Sequence, residues 1–301
     1  MDFLTLKNRI LERSSSLVGV DLGRGAIRVV ELGSCRGASS GIATPVRWGV
    51  REIKSAAYGS EERLAASLRE LLIEAKIRSR RFAVALPAQR VFTKVLRLPQ
   101  GPLEELALKV HSEVIAETAL KHDQIQIDYT VLPSPNLLEH RVFVAVARKA
   151  DLRSVVSVIE RIGGEVVIVD IEPLALYNAW YHYRPDYCAK TLAIVQINPC
   201  YVGVSIYRDR VPVVLREFPK DASENGAQVV ARLGEAIAGE IRLEAGAHLE
   251  AVEHVLISGE PLIAKGVQQI LQGAVQAKIC LGDSIMESEL SVAVGLALRG
   301  F

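Results

Sequence analysis

Residues 17–32 constrain the fold of this chain more than any other segment. They read LVGVDLGRGAIRVVEL: an apolar strand ends on Asp21, glycines follow at Gly23 and Gly25, and a second strand begins. Such a strand delivers a carboxylate that can hold a hydrated metal ion, and the glycines let backbone N–H groups approach phosphate oxygens. An ordinary β-hairpin reads in the same way, because glycine is a common turn residue. The segment therefore leaves two interpretations, a phosphate-binding hairpin and a plain turn.

Composition indicates a globular protein. Of 301 residues, 50% are hydrophobic and 24% are charged, and the formal net charge is +1. Without a basic excess, we expect no nucleic-acid partner. The cysteines are far apart and form no CxxC pair, which predicts a reducing cytoplasm and disfavours disulfides and structural zinc. They are Cys35, Cys188, Cys200 and Cys280.

The first sixteen residues, MDFLTLKNRILERSSS, form a segment too polar for a signal peptide and too short to span a membrane. On a helix their apolar side chains fall on one side, apart from Lys7. We expect this helix to pack on its own domain. Contact with a membrane or a partner is the alternative.

A second segment, residues 192–207, repeats the pattern of the first. It reads LAIVQINPCYVGVSIY, and without gaps it places Gln196 over Asp21 and Asn198 over Gly23. Both copies predict an apolar strand, a tight polar turn and a β-branched strand. Each copy opens one half of the chain, which predicts two similar halves with a cleft between them.

Between these segments lies a compact block over about residues 88–150. Residues 91–98 alternate as a strand, Pro102 begins an amphipathic helix, and residues 125–132 and 141–147 predict two further strands. The block is therefore expected to be an inserted strand–helix–strand–strand subdomain. We expect residues 1–87 and 151–190 to form the first half and residues 191–301 the second.

Four stretches, in order along nearly the whole chain, resemble the PilM family. They are VGVDLGRGAIRVVEL, ALPAQRVFTKVLRLP, FVAVARKADLRSVVSVIERIGGEVVIVDIEPLAL and VAVGLALRGF. The chain is similar, more distantly, to FtsA and to the cytoplasmic part of GspL. The resemblance implies an α/β, actin/Hsp70-like (ribonuclease H-like) fold of two lobes around a nucleotide cleft. It also implies that the inserted block is an SHS2-type subdomain.

The resemblance further implies where ATP and Mg²⁺ would bind. In such proteins two phosphate loops, an adenosine motif and a helix beside the nucleoside surround ATP, and Asp21 would face the hydration shell of Mg²⁺. Asp170 and Gly295 would lie on elements connecting the lobes. The implied binding residues are Asp21, Gly23, Arg24 and Gly25 of the first loop, Gln196 and Asn198 of the second, Glu240 and Arg242 of the helix, and Ser258, Gly259 and Glu260 of the adenosine motif.

The chain departs from the family pattern at three loops. Gln196 stands where an Asp is usual and cannot supply a negative charge for Mg²⁺. Arg24, Gly25 and Ala26 replace the usual hydroxyl residues of the first loop. Glu260 replaces a glycine and would bring a negative charge towards phosphates. Together these changes predict a weakened or lost ATP site, and we assign no catalytic residue.

The function that the resemblance implies is that of a cytoplasmic adaptor, peripheral to the inner membrane. Its expected partner is the N-terminal cytoplasmic peptide of a PilN-like membrane protein, bound beside the inserted subdomain. The inner-membrane platform, motor ATPases and a second copy of the chain are further expected partners. The alternative is an ATP-binding actin-like switch or ATPase of pilus or type II secretion assembly.

Overall fold

The computed structural model describes residues 17–23, 25–34, 43–53, 60–118, 121–134, 136, 138–188, 191–198, 200–220, 226–248, 251–282 and 289–300. The helix expected at residues 1–16 and the expected binding residue Arg24 lie outside these ranges. The strands are β1 Val18–Asp21, β2 Ala26–Ser34, β3 Ala43–Glu52, β4 Arg81–Leu86, β5 Val91–Pro99, β6 Ile125–Leu132, β7 Glu139–Arg148, β8 Glu165–Ile171, β9 Leu192–Ile197, β10 Tyr201–Arg208, β11 Val211–Pro219, β12 His254–Gly259 and β13 Lys278–Leu281. The helices are α1 Glu61–Glu74, α2 Leu103–Thr118, α3 Lys149–Glu160, α4 Glu172–Tyr183, α5 Gly226–His248, α6 Pro261–Ala274 and α7 Ser291–Ala297.

Two five-stranded sheets share one topology. The first has the strand order β3-β2-β1-β4-β8 and the second β11-β10-β9-β12-β13. In each, the opening strand pairs antiparallel with the next strand and parallel with the fourth. The expected internal repeat is therefore present in the structure, and each copy forms the centre of one lobe.

The carboxyl ends of the central strands meet at one edge of each sheet, because β1 and β4 run parallel, as do β9 and β12. Loops that follow parallel strands gather at this edge, where open α/β sheets bind ligands. This edge carries the first-loop residues in one lobe and the second-loop residues in the other.

The lobes meet through a shared apolar core built around α4 and α7. Helix α7 is buried along its whole length. A Cβ on Gly295 would lie 1.7 Å from the carbonyl oxygen of Ala175, so only glycine lets α7 cross α4 this closely. Asp170, at the end of β8, is buried and lies 3.3 Å from Nε of Arg299, just beyond α7. Burial raises the pKa of Asp170, and the Arg299 guanidinium opposes that rise.

The block after β4 forms a third sheet of order β5-β7-β6, with α2 on one face. The observed order of elements is strand, helix, strand, strand, as the sequence predicts. Its other face contributes Val91, Ala145 and Ala147 to the core of the first lobe, so this sheet is seated on that lobe. None of the helices in the described ranges combines the length and apolar character needed to cross a bilayer.

Candidate site between the two lobes

The loop after β1 holds a buried ion pair. Asp21 and Arg28 face each other in the β1–β2 register, and Arg28 Nη1 donates to Asp21 Oδ2 at 3.2 Å. Both residues are less than 10% exposed. A Cβ on Gly23 would lie 3.0 Å from Asp21 Oδ1 and 3.1 Å from Arg28 Nη1. The glycine thus leaves room for the carboxylate and the guanidinium to meet under the loop.

A second carboxyl group, that of Glu172, lies beside this pair. Glu172 begins α4, and its Oε2 accepts a hydrogen bond from the hydroxyl of Tyr201 at 2.8 Å. Tyr201 begins β10, so this bond joins the two lobes. Burial, helped by the negative charge of Asp21, raises the pKa of Glu172 to about 8, and the Tyr201 hydrogen bond opposes the rise. Burial also raises the pKa of Asp21 itself, against the pull of Arg28.

At the corresponding edge of the second lobe, the structure brings together five of the expected binding residues. Gln196 pairs with Ser258, and Ile197 pairs with Gly259, in the parallel β9–β12 register; Asn198 and Glu260 follow directly. Gly259 has a φ of +111°, and a Cβ there would lie 2.0 Å from the Ile197 carbonyl oxygen. This glycine is therefore required by the backbone itself, whether or not a ligand binds.

Two buried polar atoms at this edge have no hydrogen-bond partner among the described residues. They are Nδ2 of Asn198 and Oγ of Ser258. The backbone N–H of Asn198 donates to the carbonyl of Tyr201 at 2.9 Å, which closes the turn. An unsatisfied buried donor is costly, so such atoms mark a place where a polar ligand would gain hydrogen bonds.

Three expected residues of the second lobe, Glu240, Arg242 and Glu260, have ion-pair partners within that lobe. Glu260 Oε2 accepts from Nζ of Lys220 at 2.8 Å, so its negative charge is balanced locally. The Glu240 carboxylate lies 4.0 Å from Arg216 of β11. Arg242 extends along its own helix to within 4.0 Å of Glu235 and is more than half exposed.

A cavity of about 700 Å³ opens where the chain enters and leaves the inserted sheet. Its walls come from the first lobe, including Gly25 of the expected first phosphate loop, from the short helix Ala88–Arg90 and from β10 and β11 of the second lobe, so the cavity is part of the cleft between the lobes. The apolar lining includes Leu22, Ile53, Leu64, Val155 and Val158, and the polar lining includes Glu61, Arg90, Ser154, Glu172, Tyr201 and Glu217. Apolar walls with a few placed polar groups are typical of ligand and peptide sites.

Sequence reasoning assigned no role to four residues of this region: Arg28, Glu172, Lys220 and, beyond its place as the last residue of the second phosphate loop, Tyr201. One signal was available. Arg28 is a charged residue inside the apolar strand of residues 26–30, and such a residue needs a buried partner. The other three become visible only through the tertiary structure, because their partners lie 29 or more positions away.

Two sheets of one topology, facing loops at corresponding edges and crossed helices between the lobes define an actin-like protein. Within that class, residues 19–233 match the family model described as type IV pilus assembly protein PilM. The match covers more than two thirds of the chain, and the chain belongs to this family.

Solved structures agree on the fold. The PilM–PilN type IV pilus biogenesis complex matches with a TM-score of 0.77 and 18% identity over 95% of this chain and 98% of that chain. The cytoplasmic domain of EpsL, from the type II secretion system of Vibrio cholerae, matches with a TM-score of 0.55 and 13% identity over 95% of this chain and 96% of that chain. A Bacteroides thetaiotaomicron protein with an actin-like ATPase fold matches with a TM-score of 0.52 and 9% identity over 94% of this chain and 95% of that chain. No curated protein sequence matched the chain.

Proposed function

We propose that this chain is a cytoplasmic adaptor of the type IV pilus assembly platform, held at the inner membrane by a PilN-like partner. The bound element would be the N-terminal cytoplasmic peptide of that partner. Family membership supports the pathway, and the likeness to the PilM–PilN complex supports the kind of partner. The expected motor ATPase partners and self-association remain predictions.

The cavity at the base of the inserted sheet is the observation that carries this proposal. It is large enough to take several side chains, and its apolar walls come from residues of the β1–β2 loop, α1 and α3. An extended peptide places alternate side chains on one face, so such walls can hold every second residue.

The inserted sheet offers main-chain partners beside the cavity. Strand β5 begins at Val91, directly after the cavity-lining Arg90, and it lies at an edge of its sheet. The outer side of an edge strand can add one more extended strand through backbone hydrogen bonds. A peptide entering the cavity along this edge would gain both kinds of contact.

Calorimetric titration with a synthetic N-terminal peptide of the PilN-like protein from the same organism tests the proposal. Ser154→Trp places a bulky ring at the cavity wall, and we expect it to weaken binding at least about tenfold, that is, by about 1.4 kcal/mol. Ser157→Trp, one turn further along α3 and outside the cavity lining, is the matched control. A folded wild-type protein that does not bind the peptide would contradict the proposal.

A nucleotide switch is the second candidate, favoured by the unsatisfied Asn198 Nδ2 and Ser258 Oγ at the cleft. Against it stands the neutral Gln196, which supplies no negative charge for Mg²⁺, whereas the Lys220–Glu260 ion pair removes the repulsion that Glu260 alone would offer to phosphates. Titration of a fluorescent ATP analogue, with and without Mg²⁺, separates the candidates. Tight saturable binding that Ser258→Ala weakens would favour the switch.

A further inference from the structure

The residues around Asp21 decide whether the expected Mg²⁺ ion could bind there. Mg²⁺ needs six oxygen ligands at about 2.0–2.1 Å and keeps several waters. The Asp21 carboxylate is buried, and one of its oxygens already accepts from Arg28. These residues do not fit the ion.

Arg28 is held in place by more than one contact. Besides Asp21, its Nη1 donates to the carbonyl oxygen of Ala26 at 3.4 Å, and its Nε lies 4.0 Å from Glu289. Its positive charge also acts on Glu172. The guanidinium therefore lies among three carboxyl groups, those of Asp21, Glu172 and Glu289.

The second lobe shows that the pair is not a requirement of the shared topology. Gln196 and Gly203 occupy the positions in β9 and β10 that correspond to Asp21 and Arg28, and they face each other in the same register. Carboxylate and guanidinium are thus present together in one lobe and replaced together in the other. The paired replacement is explained if the guanidinium is the counter-cation of the carboxylate, because neither charge is then needed without the other.

We propose that the Arg28 guanidinium takes the place of the divalent cation at Asp21, so that the cleft does not take up Mg²⁺. Any nucleotide that enters the cleft would then bind as the free anion and not as its magnesium complex. This inference concerns the cation alone, so its test is independent of peptide binding.

The test uses Tb³⁺, which binds oxygen sites selective for hard cations and becomes luminescent when a nearby tyrosine transfers energy to it. Tyr201, which is hydrogen-bonded to Glu172, lies close enough to transfer energy to an ion bound there. For the wild-type protein we expect no saturable Tb³⁺ luminescence and no change of Tm with Mg²⁺. For Arg28→Gln we expect saturable luminescence, at least about tenfold tighter cation binding and a Tm raised by Mg²⁺, because the buried Asp21 carboxylate loses its cation.

Two variants locate the effect. Arg47→Gln removes an arginine from another buried carboxylate of the same sheet, that of Glu31, and should behave as wild type towards Tb³⁺. Arg28→Gln combined with Tyr201→Phe should lose the luminescence and keep the Mg²⁺ effect on Tm.

Two results overturn the proposal. One is wild-type Tb³⁺ luminescence that Mg²⁺ displaces and Asp21→Asn abolishes, a measurement that does not depend on whether Arg28→Gln folds. The other is a folded Arg28→Gln protein that gains no cation site.

Discussion

The loops after β1 and β9 occupy equivalent places in two sheets of one topology, yet they differ in charge. In the first lobe Asp21 faces Arg28, and both side chains are buried. In the second lobe the equivalent residues, Gln196 and Gly203, are neutral. The strand order and register are the same, so the shared backbone does not demand the ion pair. The pair belongs to the chemistry of the first lobe.

The comparison teaches that the acidic groups at this cleft are balanced from within the chain. The guanidinium of Arg28 balances the charge of Asp21, and in the second lobe the ammonium group of Lys220 balances the charge of Glu260. The buried Asp21 carboxylate needs such a partner, because the low-dielectric interior penalises an isolated ion, whereas the Glu260 side chain is half exposed. Breaking the balance in one lobe, or building it in the other, tests whether the difference is functional.

The largest effect is expected from removing the cation of the first lobe. Arg28→Met leaves the Asp21 carboxylate buried beside Glu172 without its arginine. We expect the free energy of unfolding to fall by about 3–5 kcal/mol, the usual result of breaking one side of a buried pair. Urea unfolding followed by circular dichroism measures it.

The double variant Asp21→Asn/Arg28→Met is the matched control. It removes both charges and should recover a large part of the loss, because no buried ion is left unpaired. If the double variant is as unstable as the sum of the two single variants, the pair contributes only packing.

Much of the fold could be predicted from local patterns. The alternation in β5, the helix after Pro102 and the strand over residues 125–132 each follow from periodicity, and the structure has them within a few residues. The repeat predicted the two lobes because its two copies align without gaps. These features depend on neighbours in sequence, which is why sequence alone reveals them.

The charge balance of the site could not be predicted in this way. The Glu260 side chain reads as a negative charge near the cleft, but its partner Lys220 lies forty positions earlier. Glu172 reads as an ordinary acidic residue at a helix start, although burial and Asp21 raise its pKa to about 8. Long-range partners and burial decide both cases, and neither leaves a local signature.

An intermediate effect is expected from building the pair in the second lobe. Gln196→Glu introduces a carboxylate without a cation, which should cost about 1–3 kcal/mol of unfolding free energy. Adding Gly203→Arg places a guanidinium opposite it in the β9–β10 register, and we expect at least half of the loss to return. Gly203 has room for a side chain, since a Cβ there would come no closer than 3.9 Å to Tyr201.

Gly203→Ala alone separates the effect of the new charge from that of the new Cβ. We expect it to change the unfolding free energy by less than about 1 kcal/mol. If Gly203→Arg fails to restore the stability lost in Gln196→Glu while Gly203→Ala is harmless, the two loops differ in more than charge. The difference between the lobes would then need another explanation.

The last predicted effect depends on pH and concerns Glu172, which joins the two loops through its hydrogen bond to Tyr201. Its carboxyl has a pKa of about 8 in the folded protein and an ordinary value of 4.5, so between these pH values the folded state holds a proton that the unfolded chain has released. Stability from this group is therefore fully present below pH 4.5 and is lost as pH rises through 8. Glu172→Gln cannot ionise and keeps an acceptor for Tyr201. Its unfolding free energy should fall less with pH, leaving it more stable than wild type at pH 9.

Tyr201→Phe sharpens this prediction, because it acts on the same carboxyl from the other lobe. The tyrosine hydroxyl lowers the pKa of Glu172, so its loss should extend the fall in stability to higher pH, whereas an unspecific loss of packing would lower stability equally at every pH. The two variants combined should show the shallow profile of Glu172→Gln alone. If Glu172→Gln retains the wild-type slope between pH 5 and 9, the carboxyl does not carry its proton at neutral pH, and the charge balance between the loops must include a second anion beside Asp21.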